Sequence, residues 1–485
     1  MRCNALDDLE FGSVNSESED DLDQLFVRTG DFDKFLKPRV WLILGAKGTG
    51  KSALFEYFTK FEETARSQAG QALENVIIAT GTGFGDLTEI ATRDLQDLRD
   101  GAENYDHDQL WKLYIAIKAG LALNGSFRIP AGPLRDLLNA LGELRDYRVG
   151  SLLRELWVLT VGSPPSSISI SIGGGSVSLE AGRRELDVVT LLEDIQTALE
   201  ESGKVIWLLF DKIDEIWPAD REERKRALEG LMTASMNVRR LFPSIQPIVM
   251  LRTDLWADLD FTNKDHLTDK RIELTWSAHH LMSLLIKRAI FHRPVRDFVD
   301  EAVGSVRGRE VDSWSSDEQF AALQAIFPST AYPGEREAAI MDWLVERVRD
   351  GRRTVLPRDA IVLSNFAADL QREKGEAGPT SLLSRESVRD AFTKTSEVRY
   401  ESFLAEFPGL REHFRRFSGQ TKADFSRDEL LGLMKGLEPN GDVLLERLYE
   451  IGVITPDTGR TLTASSFEIP RLYRTGLGLV IRGRP

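Results

Sequence analysis

Gly45-Ala46-Lys47-Gly48-Thr49-Gly50-Lys51-Ser52 is the stretch on which the reading of this 485-residue chain turns. It fits the spacing G-x-x-x-x-G-K-[ST] of a phosphate-binding loop. Glycines let successive backbone N–H groups turn inward around phosphate oxygens, at the start of a helix whose first N–H groups have no partner. Lys51 supplies a cation for the β- and γ-phosphates, and Ser52 a hydroxyl for Mg²⁺. The candidate nucleotide-binding residues are therefore Gly45, Lys47, Gly48, Thr49, Gly50, Lys51, Ser52 and Ala53. The flanks agree. Val40-Trp41-Leu42-Ile43-Leu44 is a continuous apolar run, which predicts a strand buried on both faces. Ser52 to Glu63 carries Ala53, Leu54, Tyr57, Phe58 and Phe61 at helical spacing. A glycine-rich turn without a ligand would not need this strand–loop–helix setting.

Further along, Lys204-Val-Ile-Trp-Leu-Leu-Phe210-Asp211-Lys-Ile-Asp214-Glu215 is a hydrophobic strand ending in an acid. Paired with the phosphate loop it forms the second half of an NTPase site. Asp211 would hold Mg²⁺ opposite Ser52, and Asp214 or Glu215 would orient or deprotonate the attacking water. Either of the latter two could instead cap the next helix. Ile248-Val-Met-Leu-Arg252-Thr-Asp254 is another strand, whose Arg252 either reaches the γ-phosphate or pairs with Asp254. Arg271 precedes a fifth strand at Ile272–Thr275 and could reach a neighbouring subunit. Arg358 opens a helix in the following domain and could close onto nucleotide. For each arginine the plain alternative is an exposed charge.

The remaining strands and helices complete an α/β pattern. Val76–Ala79 is a strand. Gln109–Leu123, Pro133–Leu144, Val188–Glu201 and Glu222–Leu241 have helical periodicity. Ile168–Ile172 and Val177–Leu179 alternate about a glycine turn, which predicts a hairpin. The expected fold is a three-layer P-loop NTPase with a parallel sheet, then a helical lid, then a winged-helix-like domain. Its expected domains are an acidic flexible tail over 1–19 and a P-loop domain over 20–277, with an insertion at about 86–187. A helical lid over 278–380 and the winged-helix-like domain over 381–485 follow. Within the lid, helices are expected at Leu281–Phe291, Glu335–Arg349 and Ala360–Glu373, with no clear pattern between Asp300 and Pro333.

Composition excludes several classes. There are 62 Lys+Arg against 77 Asp+Glu, a net charge of −15, and a single cysteine, Cys3. The longest apolar run, Val205 to Phe210, is far short of the roughly 20 residues a membrane span needs. The acidic N-terminus lacks the apolar core of a secretory signal. A reducing cytoplasm is expected. The acidic total argues against a surface built throughout for nucleic acid, but residues 381–485 carry a net charge of +1 and leave local DNA contact open. No histidine or cysteine spacing predicts a metal centre. No N-K-x-D guanine-reading motif appears, so ATP is the expected nucleotide.

These motifs resemble a known group. LILGAKGTGKSALFEYF (42–58), LLFDKIDEIW (208–217), VMLRTDLW (249–256) and KRIELTWS (270–277) with LLIKRAI (284–290) resemble bacterial P-loop ATPases of the STAND and KAP type, near the origin-recognition-complex-like AAA+ proteins. Asp211, Asp214 and Glu215 match the STAND form of the acidic motif, while Lys212 stands where that group usually has a small residue. Pro357-Arg358-Asp359, YEIGVI (449–454) and FEIPRLYRTGLG (467–478) resemble the winged-helix tail of related bacterial ATPases. The resemblance implies an ATP-hydrolysing molecular switch that assembles as a homo-oligomer or with an effector protein, in bacterial signalling or antiviral defence. The alternative is a DNA-engaging initiator or loader that uses the winged helix. A phosphotransferase with its second substrate near Phe84–Ile172 is a third reading.

Overall fold

The computed structural model describes residues 2–81, 107–143, 168–172, 175–179, 187–213 and 221–480. They fall into two compact units. One comprises Gly30–Leu44 and Leu54–Glu273. The other comprises Met1–Thr29, Gly45–Ala53 and Leu274–Pro485.

The first unit is built on a five-stranded parallel sheet. Its strands are β1 (Leu42–Gly45), β2 (Val76–Thr80), β5 (Val205–Phe210), β6 (Ile245–Arg252) and β7 (Arg271–Glu273), in the order β2-β5-β6-β1-β7. β1 and nearly all of β5 are buried, as their unbroken apolar sequences require. β6 begins at Ile245, two residues before Pro247, and lies between β5 and β1. The helix His107–Leu123 is apolar almost all round and accordingly buried, with the Trp111 indole donating to the Ala227 carbonyl at 2.8 Å. Trp111 meets Tyr114 and Phe210 edge to face, and Tyr114 lies tilted against Phe210 of β5. The helix Val188–Ser202 starts on an Asp187 cap and ends at Gly203 with φ 64°, where the Ser202-Gly203 pair predicts its end. The hairpin is present as β3 (Ile168–Ile172) and β4 (Gly175–Leu179), paired from Ile168↔Leu179 to Ile172↔Gly175. Residues 86–106, 144–167 and 180–186 of the expected insertion, and 173–174 at the centre of its glycine turn, lie outside the described residues.

The second unit has two cores. One gathers the helices Ala278–Ala289, Arg293–Val303, Ser316–Ile326, Ile340–Arg347 and Pro357–Glu373. Between Asp300 and Pro333, where the sequence shows no clear pattern, a Ser315/Glu318 capping box starts a three-turn helix. The next helix begins at Ile340 instead of Glu335, because Thr330 and Ala339 first form a β-bridge.

The expected flexible tail at 1–19 is a correction. Its acidic composition hides Ala5, Leu6, Leu9 and Phe11, all buried in this core. Asn365 accepts from the Phe11 N–H at 2.8 Å and donates to the Gly12 carbonyl at 3.0 Å. Glu19 pairs with Arg288 at 2.9 Å, both well buried, and Arg288 also donates to the Phe11 carbonyl. Burial pushes the Arg288 guanidinium below its usual range and the Glu19 carboxylate opposes that shift.

The second core is the winged helix. The helix Arg385–Glu406 leads to β8 (Asp424–Ser426), helices Arg427–Leu433 and Gly441–Glu450, then β9 (Thr455–Pro456) and β10 (Ser466–Glu468). The three strands form one antiparallel sheet in the order β8-β10-β9. β8 is too short to announce itself in the sequence. Arg385–Glu406 serves both cores, with Val388, Ala391 and Phe392 in the helical one and Phe403 in the winged helix. Lid and winged helix thus share one compact unit.

Candidate functional site

The loop after β1 is wrapped by donors. Gly48 and Gly50 have φ of 91° and 97°, a region side chains disfavour. The Lys51 ammonium donates to the carbonyls of Gly45 at 2.8 Å and Ala46 at 3.1 Å. The Thr49 hydroxyl also donates to Ala46 at 2.8 Å. The main-chain N–H of Arg358 approaches the Gly48 carbonyl at 3.4 Å, and the Trp276 indole N–H donates to the Thr49 carbonyl at 2.9 Å. Four of the loop's carbonyls are thus held by protein donors. The helix Lys51–Thr59 then begins, with Ser52 and Ala53 in its first turn. Its leading N–H groups have no partner within the helix and carry its positive end. The arrangement suits an anion.

Two charged side chains flank the loop. Lys47 forms an ion pair with Glu406 at 2.9 Å. Arg358 packs so closely on Gly48 that a Cβ there would lie 3.1 Å from its own Cβ. Burial holds the Arg358 guanidinium below its usual range; Arg399 acts in the same direction, and Asp359 and Glu406 oppose it. The next residue, Asp359, is buried and faces the buried Arg399, with 3.8 Å between charged atoms. Burial pushes Asp359 up. Burial also works against the charge of Arg399, but Asp359, with Tyr473, holds it above its usual range.

In the sheet unit, buried Asp211 directly follows the carboxyl end of β5, as its sequence context predicts. The next residue, Lys212, has φ 55°. That left-handed conformation costs on the order of 1 kcal/mol for any residue with a Cβ. Glu56, on the helix that starts at Lys51, has its carboxyl pushed up by burial, relieved by Lys60 and reinforced by the charge of Asp211. Asp214 and Glu215 lie outside the described residues.

Arg252 takes the second of its two expected roles. Its guanidinium makes a bidentate pair with Asp254, at 3.0 and 2.8 Å. The two residues meet where β6 gives way to the helix Thr253–Asp258. Arg271 is exposed at the start of the edge strand β7, where the parallel register sets it beside Leu42 at the start of β1. Its guanidinium stacks 5.7 Å from the Trp256 ring, with Lys264 at 5.0 Å from the same ring. These residues line an open pocket of about 460 Å³, together with Phe261, Asp260 and Asp265.

Sequence reasoning missed Trp276, Glu406 and Glu56. Trp276 is 227 positions from Thr49, and Glu406 is 359 from Lys47. Nothing local marks either one. No cluster of three or more metal-ligating side chains occurs among the described residues. None of the described helices is long and apolar enough to cross a membrane.

No family model and no curated protein matches the chain. Among solved structures it is similar to the Aeropyrum pernix ORC2 protein in its ADPNP–ADP complexes, with 13% identity over 94% of both chains and a TM-score of 0.31. It is also similar to Cdc6p from Pyrobaculum aerophilum, with 13% identity over 91% of this chain and 87% of that one, and a TM-score of 0.28. Likeness at this level carries no functional argument, which rests on the chain's own residues.

Proposed function

We propose that the chain is an ATP-binding and ATP-hydrolysing molecular switch. The observation that carries this reading is the loop Gly45–Ser52. Lys51, Thr49, Arg358 and Trp276 hold its carbonyls, and the positive end of a helix follows directly. Such a loop offers N–H groups and a lysine to a polyphosphate. Ser52 and Asp211 would hold Mg²⁺, which when bound neutralises charge on the β- and γ-phosphates. The fit rests on the chemistry of the donors: a hydroxyl and a buried carboxylate are the hard oxygen ligands that Mg²⁺ takes. Glu215, or Asp214, positions the attacking water. Arg358 serves the nucleotide of its own chain, and Arg271 that of a neighbouring copy.

Isothermal titration with ATP and Mg²⁺ tests this directly. Lys51→Ala removes a charged donor worth about 1.5–3 kcal/mol, so affinity drops at least about tenfold. Unchanged affinity would refute the nucleotide site.

The biological role we favour is a switch inside a protein assembly, of the signalling or defence kind that the motif resemblance implies. One feature weighs against the DNA-loader alternative. The two helices at the heart of the winged helix, with their connection (427–450), carry Arg427, Lys435 and Arg447 against Asp428, Glu429, Glu438, Asp442, Glu446 and Glu450. Duplex DNA is bound chiefly by neutralising phosphates with Lys and Arg, and this segment has a net charge of −3. Fluorescence anisotropy with duplex DNA, with and without ATP, is expected to show no saturable binding at 150 mM salt. Submicromolar, ATP-dependent binding would return the loader reading to first place.

A further inference from the structure

We propose that Trp276 is a positioning residue of the phosphate loop, a deeper statement about the nucleotide site that rests on the function proposed above. Trp276 lies three residues past the end of β7, just before the Ser277 cap of the helix Ala278–Ala289. Its indole N–H donates to the carbonyl of Thr49 at 2.9 Å. The edge of its ring lies 3.9 Å from where a Cβ on Gly50 would be. A trans peptide points its C=O and its N–H to opposite sides. Holding the Thr49 oxygen against Trp276 therefore turns the Gly50 N–H the other way, away from the indole. Gly50, at φ 97°, has no side chain to limit the rotation of that peptide. An outside donor is needed to choose one orientation, and tryptophan supplies one N–H and no acceptor.

The role is distinct from catalysis. Trp276 would bias the loop equally for bound nucleotide and for the transition state. Its loss then raises KM and leaves kcat nearly unchanged.

The variant is Trp276→Phe, which keeps an aromatic ring and removes the donor. Two measurements are made on the full chain. Titration with ATP and Mg²⁺ is expected to give a Kd about three- to tenfold higher than wild type, the range of one lost hydrogen bond. Amide hydrogen exchange without nucleotide is expected to be faster over residues 45–53, with the melting temperature close to that of wild type. Equal Kd and equal loop exchange would overturn the proposal. So would a lowered melting temperature and active fraction with unchanged Kd, which is the signature of a purely structural tryptophan. If wild type takes up no nucleotide while loop exchange still quickens in Trp276→Phe, the positioning role stands and the ATP reading fails. If loop exchange is also unchanged, both fail.

Discussion

The Lys47 ammonium, inside the phosphate loop, is held 2.9 Å from the carboxylate of Glu406, the last residue of the helix that enters the winged helix. A cation that could meet phosphate is therefore engaged by a carboxylate from the C-terminal module. In the proposed nucleotide complex, phosphate and Glu406 would compete for it.

That competition predicts the behaviour of Glu406→Gln. Lys47 is 41% exposed, so the pair is weak, worth at most about 1 kcal/mol. The variant is expected to bind ATP up to about fivefold more tightly by isothermal titration. A weaker or unchanged affinity would mean that Lys47 does not reach the phosphates.

Binding and turnover separate at the acidic motif. Glu215→Gln keeps side-chain shape and removes charge, so ATP is retained while phosphate release falls at least about tenfold. If Asp214→Asn shows the defect and Glu215→Gln does not, the two carboxylates exchange roles.

The two arginines differ in how their loss depends on concentration. Arg358 packs on Gly48 of its own loop, so Arg358→Ala is expected to weaken ATP use at every protein concentration. Arg271 is exposed, and an arginine supplied to a neighbour contributes about 10³–10⁵ in well-studied NTPases. Arg271→Ala should abolish only the part of the activity that rises with concentration. Light scattering with a non-hydrolysable analogue follows association in parallel. Wild-type activity per subunit that stays flat on dilution, with a constant monomer mass, sinks the trans role.

A pH effect is expected from Asp350. Burial pushes its carboxyl up to about 6, against the opposing pull of the Thr354 and Arg352 N–H groups and the charges of Arg399 and Arg352. The folded state then holds the proton more tightly than the unfolded one, whose aspartate has the ordinary value of 3.8. The resulting stability is fully present below about pH 4 and is lost as pH rises through about 6. Asp350→Asn keeps an oxygen acceptor for the two N–H groups and cannot ionise. Thermal melts from pH 4 to 8 should show wild type losing on the order of 2–3 kcal/mol relative to the variant across that window. Parallel curves would place the Asp350 titration elsewhere.

What the sequence disclosed was local. Val40–Leu44, the glycines and Lys51 are contiguous, and Asp211 ends an apolar run, so their order alone predicts strand, loop and acid. The Glu56–Asp211 and Trp276–Thr49 relationships depend on folding, and no spacing rule marks them. The N-terminal segment misleads for another reason. Its acids sit on the same few turns as Ala5, Leu6 and Leu9, and composition averages over the face that is buried. The Arg252–Asp254 pair was legible because its two members lie two positions apart.

Arg385–Glu406 is a single rod of 22 residues, about 33 Å long at the usual rise, anchored at both ends in packed side chains. Such a helix transmits displacement without absorbing it. Tilting it by about 2° about its Val388 end carries the Glu406 end through roughly 1 Å, enough to break a short ion pair. A displacement of the winged helix would therefore be felt at Lys47 as a longer gap to Glu406, while the packed Phe403 end would stay seated whatever the charge state of Lys47.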